Sequence, residues 1–407
     1  MMETLQSLIR DHPSEIMAIA IFVLTYLAVA IGRVPGLHID RAGMAFLGAA
    51  LMVAAGVLPL DAAYRAIDWD TIALLLGMML VVANLRLAGF FRLITAWAVR
   101  RAHHPLLLLG AIILVAGVLS AFLVNDTVCL VMAPLVVEVV LHLRRNPVPY
   151  VIAIPLASNA GSVATITGNP QNMIVGSLSQ IPYLHFAAAL APVAVAGLVL
   201  TLVLVALVWW REFLRGGRLS AEPPPTYVHR ALLIKALLVL AGLVAAFAAG
   251  VRPSLAALVA GAVLLPSRRV KVGKMYREVD WPLLLMFAGL FVVVTGLERS
   301  VLGSLDGAVP RLGTAPVLAG VTAVLSNLVS NVPAVLLLKP FVASSQDWLV
   351  VAMAATLAGN FTILGSVANL IVVQAARARG IEIGFWTYFK VGAPLSVLSI
   401  LVGLALL

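Results

Sequence analysis

Three short polar stretches interrupt an otherwise apolar chain, and their residue types suit handling an ion or a small hydrogen-bonding solute. The first is Asn125, Asp126 and Thr127, inside AFLVNDTVCLVMAP (121–134). The second is Ser330, Asn331 and Val332, inside LSNLVSNVPAVLLLKPFV (325–342). The third is ATITGNPQN (164–172), with an echo in FTILGSVAN (361–369). Asp126 is the one acid placed near mid-membrane. A carboxylate there is costly and functional by default; it suits a sodium ion or a proton. Amide oxygens and unwound backbone carbonyls coordinate cations, and a half-helix N-terminus faces anions. Asp126, Asn125, Gly168, Asn331 and Gly365 are therefore the coupling-ion candidates. Asn125, Thr127, Asn159, Thr167, Asn169, Asn172, Ser330, Asn331, Asn360, Thr362, Ser366 and Asn369 are the solute-binding candidates. The blander alternative is structural: asparagines that cap turns, and a helix kinked at Pro170. So many amides around one kink, and the same tip position in two places, favour a site.

The elements that must hold these residues follow from composition. The 407 residues are 62% hydrophobic and 11% charged, with mean hydropathy +1.09; a soluble domain is about a quarter charged. Apolar runs long enough to cross a bilayer, about 18 residues or more, recur from end to end. They are continuous rather than alternating, which argues against a β-barrel. The expected fold is an all-α polytopic membrane protein. Spans are expected at 16–32, 42–58, 70–88, 150–178, 187–210, 232–250, 254–267, 281–297, 349–376 and 387–407. Segments 106–142 and 314–345 each hold two short helices around a polar break, and read as re-entrant hairpins.

Loop charge orients the chain. Arg86, Arg92, Arg100 and Arg101 precede the first hairpin and Arg144 and Arg145 follow it, so both its ends are expected inside. The second hairpin lacks strongly basic flanks and is expected to enter from outside. Most remaining basic residues then fall in inner loops, and Arg10, Arg65, Arg252, Arg299 and Arg311 in outer ones. Both termini are expected outside a cell (inner) membrane, with the first apolar run retained rather than cleaved. The net charge of +10 is read as topology-setting, not as nucleic-acid binding.

The halves resemble each other. IDWDTIALLLGMMLVV (67–82) matches VDWPLLLMFAGLFVVV (279–294), the two hairpins match, and the final spans share Ala-Pro at 191–192 and 393–394. About five spans per half is an odd number, so the second copy is inverted, the architecture of secondary transporters. Residues 1–210 form the first repeat, 211–230 with Pro223 to Pro225 a cytoplasmic linker, and 231–407 the second repeat.

Other residues are weighed against their ordinary uses. Asp68 and Asp280 read as helix starts, Glu138 as an interfacial acid near Arg144, and Cys129 as a small core residue. Lys339 either snorkels or balances Asp126. The histidines fall near span ends, so no histidine proton relay is indicated. The Ser/Lys, Ser/His, paired-Asp and HExxH sets of intramembrane enzymes are absent from the spans, and so is the loop GxxxxGK[ST]. The chain is therefore expected to be a transporter and not an enzyme, without a cofactor beyond a coupling proton or sodium ion. Its partners are a small inorganic solute or anion and the lipid bilayer; a homodimer and a separate ATPase subunit are compatible with the sequence.

The stretches Asn125-Asp126-Thr127, GNPQN (168–172) and Ser330-Asn331-Val332 resemble the ion transporter superfamily, across nearly the whole chain. That superfamily includes arsenite permeases, sodium/proton antiporters of the Asn-Asp-Thr type and divalent-anion:sodium symporters. In the symporter branch both hairpin tips carry Ser-Asn-Thr. Val124, Asp126 and Val332 depart from that pattern, and Asp126 would repel a dianion. The chain is more similar to the arsenite- and anion-permease branch. The resemblance implies elevator-like movement of the hairpins and broken helices against a scaffold. The function expected is proton- or cation-coupled arsenite or antimonite efflux, with sodium/proton antiport, sodium-coupled dicarboxylate or citrate transport, and a channel as alternatives.

Overall fold

The computed structural model describes residues 13–32, 38–101, 103–214, 228–267, 270–302 and 313–407. The described residues fold as helices and connections, with no strand among them. Among the described residues, eight helices are long and apolar enough to cross a bilayer. The fold is an all-α polytopic membrane fold, with the two inverted-topology repeats and the paired hairpins that the sequence predicts.

The first repeat runs α1 (Pro13–Ile31), α2 (Arg41–Ala54), α3 (Leu60–Ala66), α4 (Trp69–Ala88), α5 (Phe90–Arg101), α6 (Pro105–Phe122), α7 (Asn125–His142), α8 (Pro147–Ser162), α9 (Pro170–Ser179) and α10 (Tyr183–Val208). After α11 (Trp210–Leu214) the second runs α12 (Arg230–Ala248), α13 (Pro253–Leu264), α14 (Val272–Arg277), α15 (Trp281–Leu297), α16 (Ala315–Val329), α17 (Asn331–Leu338), α18 (Ser345–Ala358), α19 (Val367–Arg377) and α20 (Phe385–Leu406). The Pro223 to Pro225 linker lies outside the described residues.

The matched sequences produce matched local structure. Asp68 caps α4 by accepting from Thr71 N at 3.1 Å, and Asp280 caps α15 by accepting from Leu283 N at 3.0 Å. A carboxylate at a helix N-terminus meets the free amides of the first turn. The expected spans 150–178 and 349–376 are each broken, into α8/α9 and α18/α19.

The repeats interlock. Helix α4 packs on α13 of the other repeat, and α15 packs on α2. Each contact is a backbone approach at glycine. A Cβ on Gly77 would strike the Ala257 carbonyl, and one on Gly289 would lie 2.7 Å from the Ala45 carbonyl. Around this frame α6 packs on α8, α16 on α18, and α10 on α20. Helix α9 meets the hairpin arm α17 of the opposite repeat, and α19 meets α7. The repeat interface is therefore where both tips and both breaks converge. Helices α1, α10 and α12 bury only 28% of their most apolar stretch, as lipid-facing helices do.

Two elements differ from expectation. The arms of the first hairpin are not short: each is an 18-residue helix, about 27 Å at 1.5 Å per residue. The second hairpin keeps a short arm, the 8-residue α17. The basic stretch before the first hairpin is also helical. In α5, Phe90, Phe91 and Ala98 face the core while Arg92, Trp97, Arg100 and Arg101 stay exposed. Its apolar residues follow helix spacing, so charge alone hid an amphipathic helix.

Candidate functional site

The first hairpin tip is two extended residues, Leu123 and Val124, between α6 and α7. The Asn125 amide N–H donates to Gly168 O at 3.0 Å, tying the tip to the break of its own repeat. Ser158 Oγ donates to Asn125 O at 3.2 Å and shares a 2.7 Å bond with Ser120 Oγ. The second tip turns at Ser330, with φ +77°.

Each break is held by one asparagine. Asn172 Nδ2 donates to Ser162 O at 3.1 Å and Thr165 O at 3.0 Å. Asn369 Nδ2 donates to the equivalent Gly359 O at 2.7 Å and Thr362 O at 2.9 Å. Helix α8 has stopped there, so its last carbonyls need other donors. Asn169 caps α9 by accepting from Asn172 N at 2.8 Å, and Pro170 follows where no amide donor is required.

Between the breaks lies an amide network that crosses the repeats. Asn159, fully buried, accepts from Asn125 Nδ2 at 3.0 Å and Ser366 Oγ at 3.4 Å. It donates to Asn360 Oδ1 at 2.9 Å and Asn369 Oδ1 at 3.3 Å. Thr356 is the equivalent of Asn159. Its hydroxyl accepts from Asn169 Nδ2 at 3.2 Å and Gln171 Nε2 at 3.1 Å. Asn331, with its amide oriented to satisfy both ends, donates to Ser326 Oγ at 2.6 Å and Gly365 O at 3.2 Å and accepts from Gln171 Nε2 at 3.2 Å. Asn125 Oδ1 and Asn327 Oδ1 are buried acceptors without a donor among the described residues. Such atoms are rare; they can accept from a solute hydroxyl or face a cation.

Asp126 is half-buried at the first turn of α7 and makes no hydrogen bond or ion pair among the described residues. Lys339 does not balance it: its Nζ pairs with Glu298 Oε2 at 3.0 Å. Glu298 follows directly on the end of α15. Glu138 is exposed, and no described ion pair joins it to Arg144; Arg145 pairs with Glu212 at 3.9 Å. Cys129 is fully buried among apolar neighbours.

The geometry thus brings together Asn125, Asn159, Asn169, Asn172, Asn331, Asn360, Ser366 and Asn369, with the backbone of Gly168 and Gly365. Thr167 lies apart, bonded to Tyr183. Thr127 and Ser330 are half-buried with no side-chain hydrogen bond among the described residues, and Thr362 enters through its carbonyl alone. Ser120, Ser158, Ser162, Ser326, Asn327 and Thr356 complete the set. Of these, Ser158 is the sequence neighbour of Asn159, and Ser326 and Asn327 lie inside the matched hairpin stretch. Ser162 and Thr356 carried no signal beyond an interrupted apolar run.

The comparisons with known proteins agree with this architecture. Residues 22–356 match the family CitMHS, citrate transporter. The chain is 33% identical to an uncharacterized transporter of Mycobacterium tuberculosis, over 95% of this chain and 96% of that one. It is 27% identical to a silicon efflux transporter of Oryza sativa subsp. japonica, over 97% and 98% of the two chains. The crystal structure of the Alcanivorax borkumensis YdaH transporter shares the fold, with a TM-score of 0.58, 16% identity and 97% of each chain covered. The chain is a multi-pass membrane protein that belongs to the CitMHS transporter family.

Proposed function

We propose that the chain is a secondary active transporter of a small neutral hydroxide, foremost arsenite or antimonite exported against a proton or cation gradient. One observation carries this reading: the network where tips and breaks converge offers amides and hydroxyls, and no Arg, Lys or His side chain hydrogen-bonds to it among the described residues. Arsenite near pH 7 is a neutral trihydroxide. It needs acceptors and donors at short range and no counter-charge. Citrate, suggested by the family name, would bring several carboxylates beside Asp126, and burying them unpaired is costly. Asp126 is assigned the coupling ion, with Asn125, Gly168, Asn331 and Gly365 as neighbours; the remaining network amides hold the solute. The rice relative supports a second reading in the same chemical class, because orthosilicic acid is also a neutral hydroxide near pH 7.

The test is flux in proteoliposomes under imposed proton or sodium gradients, presenting arsenite, orthosilicic acid, citrate and sodium separately. Gradient-driven movement of a hydroxide that Asp126→Asn abolishes is the expected result. Sodium-driven citrate uptake, undiminished in Asp126→Asn, would end the proposal.

A further inference from the structure

Thr167, buried and set apart from the amide network, bonds to Tyr183, and Tyr183 lines a separate cavity. This cavity of about 310 Å³ is bounded by Asp70, Ile166, Gln180, Tyr183, Arg252 and Ser254. It opens where the α9–α10 and α12–α13 connections meet the start of α4, the side that loop charge places outside. Ile166 comes from the break of the first repeat, so the cavity reaches that break directly.

Tyr183 closes it. The Tyr183 hydroxyl lies 3.1 Å from Thr167 Oγ1, and Thr167 Oγ1 lies 3.2 Å from Thr165 Oγ1. Thr165 in turn donates to Ala121 O, at the end of the first hairpin arm. The Tyr183 ring stacks on Phe247 of α12 with centroids 4.7 Å apart. Behind the ring is a second cavity of about 380 Å³, apolar, which Ala121, Thr165 and Tyr183 also line. The ring therefore partitions a polar vestibule from the hairpin arm. Its hydroxyl makes the contact that a solute hydroxyl would make with the threonine pair.

The second repeat lacks this device. Aligned through the shared Ala-Pro, the counterpart of Tyr183 is Phe385, which has no hydroxyl and is 43% exposed. Aligned through the matched breaks, the counterpart of Thr167 is Leu364, 71% exposed, whereas Thr167 is 1% exposed.

We infer that Thr165 and Thr167 form an outer binding subsite for a small neutral polyhydroxylated solute, and that Tyr183 is its door, an internal hydroxyl that occupies the subsite until the solute displaces it. The solute class rests on the proposed function; the door does not. A thiol placed behind the ring separates the two. In a Cys129→Ala background carrying Thr165→Cys, a membrane-impermeant methanethiosulfonate is applied from the side bearing Gln180 and Arg252. Adding Tyr183→Phe, which removes the hydroxyl and keeps the ring, should raise the labelling rate at least about tenfold. Thr167→Val breaks the same bond from the other partner and should do likewise, which covers failure of either variant to fold. In the Thr165→Cys protein that keeps Thr167 and Tyr183, orthosilicic acid, which forms no bond to a thiol, should slow the labelling. Unchanged rates with both variants overturn the door, whatever the flux assay gives. Faster labelling that orthosilicic acid does not slow overturns the solute class of this subsite and leaves the door standing; the flux assay decides the proposed function.

Discussion

The two hairpin tips occupy equivalent places and are built differently. Asn125 and Asn331 correspond, and each binds a broken segment: Asn125 through its amide N–H to Gly168 O, Asn331 through its side chain to Gly365 O. Around them the residues diverge. The first tip has Asp126 where the second has Val332, and ordinary extended backbone at Val124 where Ser330 sits at φ +77°. The break beside the first is buried throughout, while the break beside the second exposes Leu364. Duplication supplies the frame, and single side chains set the tips apart. One tip holds an acid and the other a residue at positive φ.

The largest expected effect breaks the comparison at its charge. Asp126→Asn should abolish gradient-driven flux, while Val332→Asn at the equivalent position should leave coupling intact and change the rate by less than about tenfold, a barrier change under about 1.4 kcal/mol. Equal losses in both would mean that the tips share the coupling role.

Next come the breaks. A Cβ on Gly168 would strike Ser162 O, which cannot retreat because Asn172 holds it. A Cβ on Gly365 would meet Gly359 O and Asn327 Oδ1, each at 2.9 Å, and the asparagine side chain can shift. Thermal unfolding in detergent should show Gly168→Ala destabilised by about 3 kcal/mol and Gly365→Ala by about 1 kcal/mol. The reverse order would put the tighter site in the second repeat.

The tip backbones predict opposite signs. Ser330→Gly relieves a conformation that costs a residue with a Cβ about 1–3 kcal/mol, so the variant should melt higher. Val124→Gly frees an unfolded chain that was restrained and loses a buried side chain, so it should melt lower. Two changes of the same sign would remove the strain argument. The smallest effect belongs to Lys339→Met. Its pair with Glu298 is 39% and 22% exposed, and such pairs contribute about 0–1 kcal/mol. Flux with unchanged ion coupling is expected, because Lys339 serves Glu298 and not Asp126.

Much of this frame is legible in the sequence because lipid enforces simple rules. Every break in an apolar run had to lie inside protein, which located both tips and both interrupted helices. What stayed hidden is pairing across great sequence distance. Asn159 meets Asn360 and Asn369, roughly 200 positions away, and no periodicity reports that. Helix α8 is buried on every side from Pro149 onward, so it shows no polar face to mark Asn159 or Ser162 as neighbours of anything. The partner of Lys339 was hidden for a related reason. That partner, Glu298, follows α15, and only the packed chain brings the two together. Helix α5 was hidden by its own charges.

The contact of α4 with α13 and of α15 with α2 also constrains how the protein is made. The Ala45 carbonyl finds Gly289, and Gly77 finds Ala257, only after the second repeat has been synthesised. At roughly 5–20 residues per second the wait is tens of seconds. Throughout it the first repeat sits in the bilayer with small-residue faces that lipid covers poorly. Neither half should therefore accumulate alone. Two separately expressed halves should survive only as a pair, each the other's template for assembly.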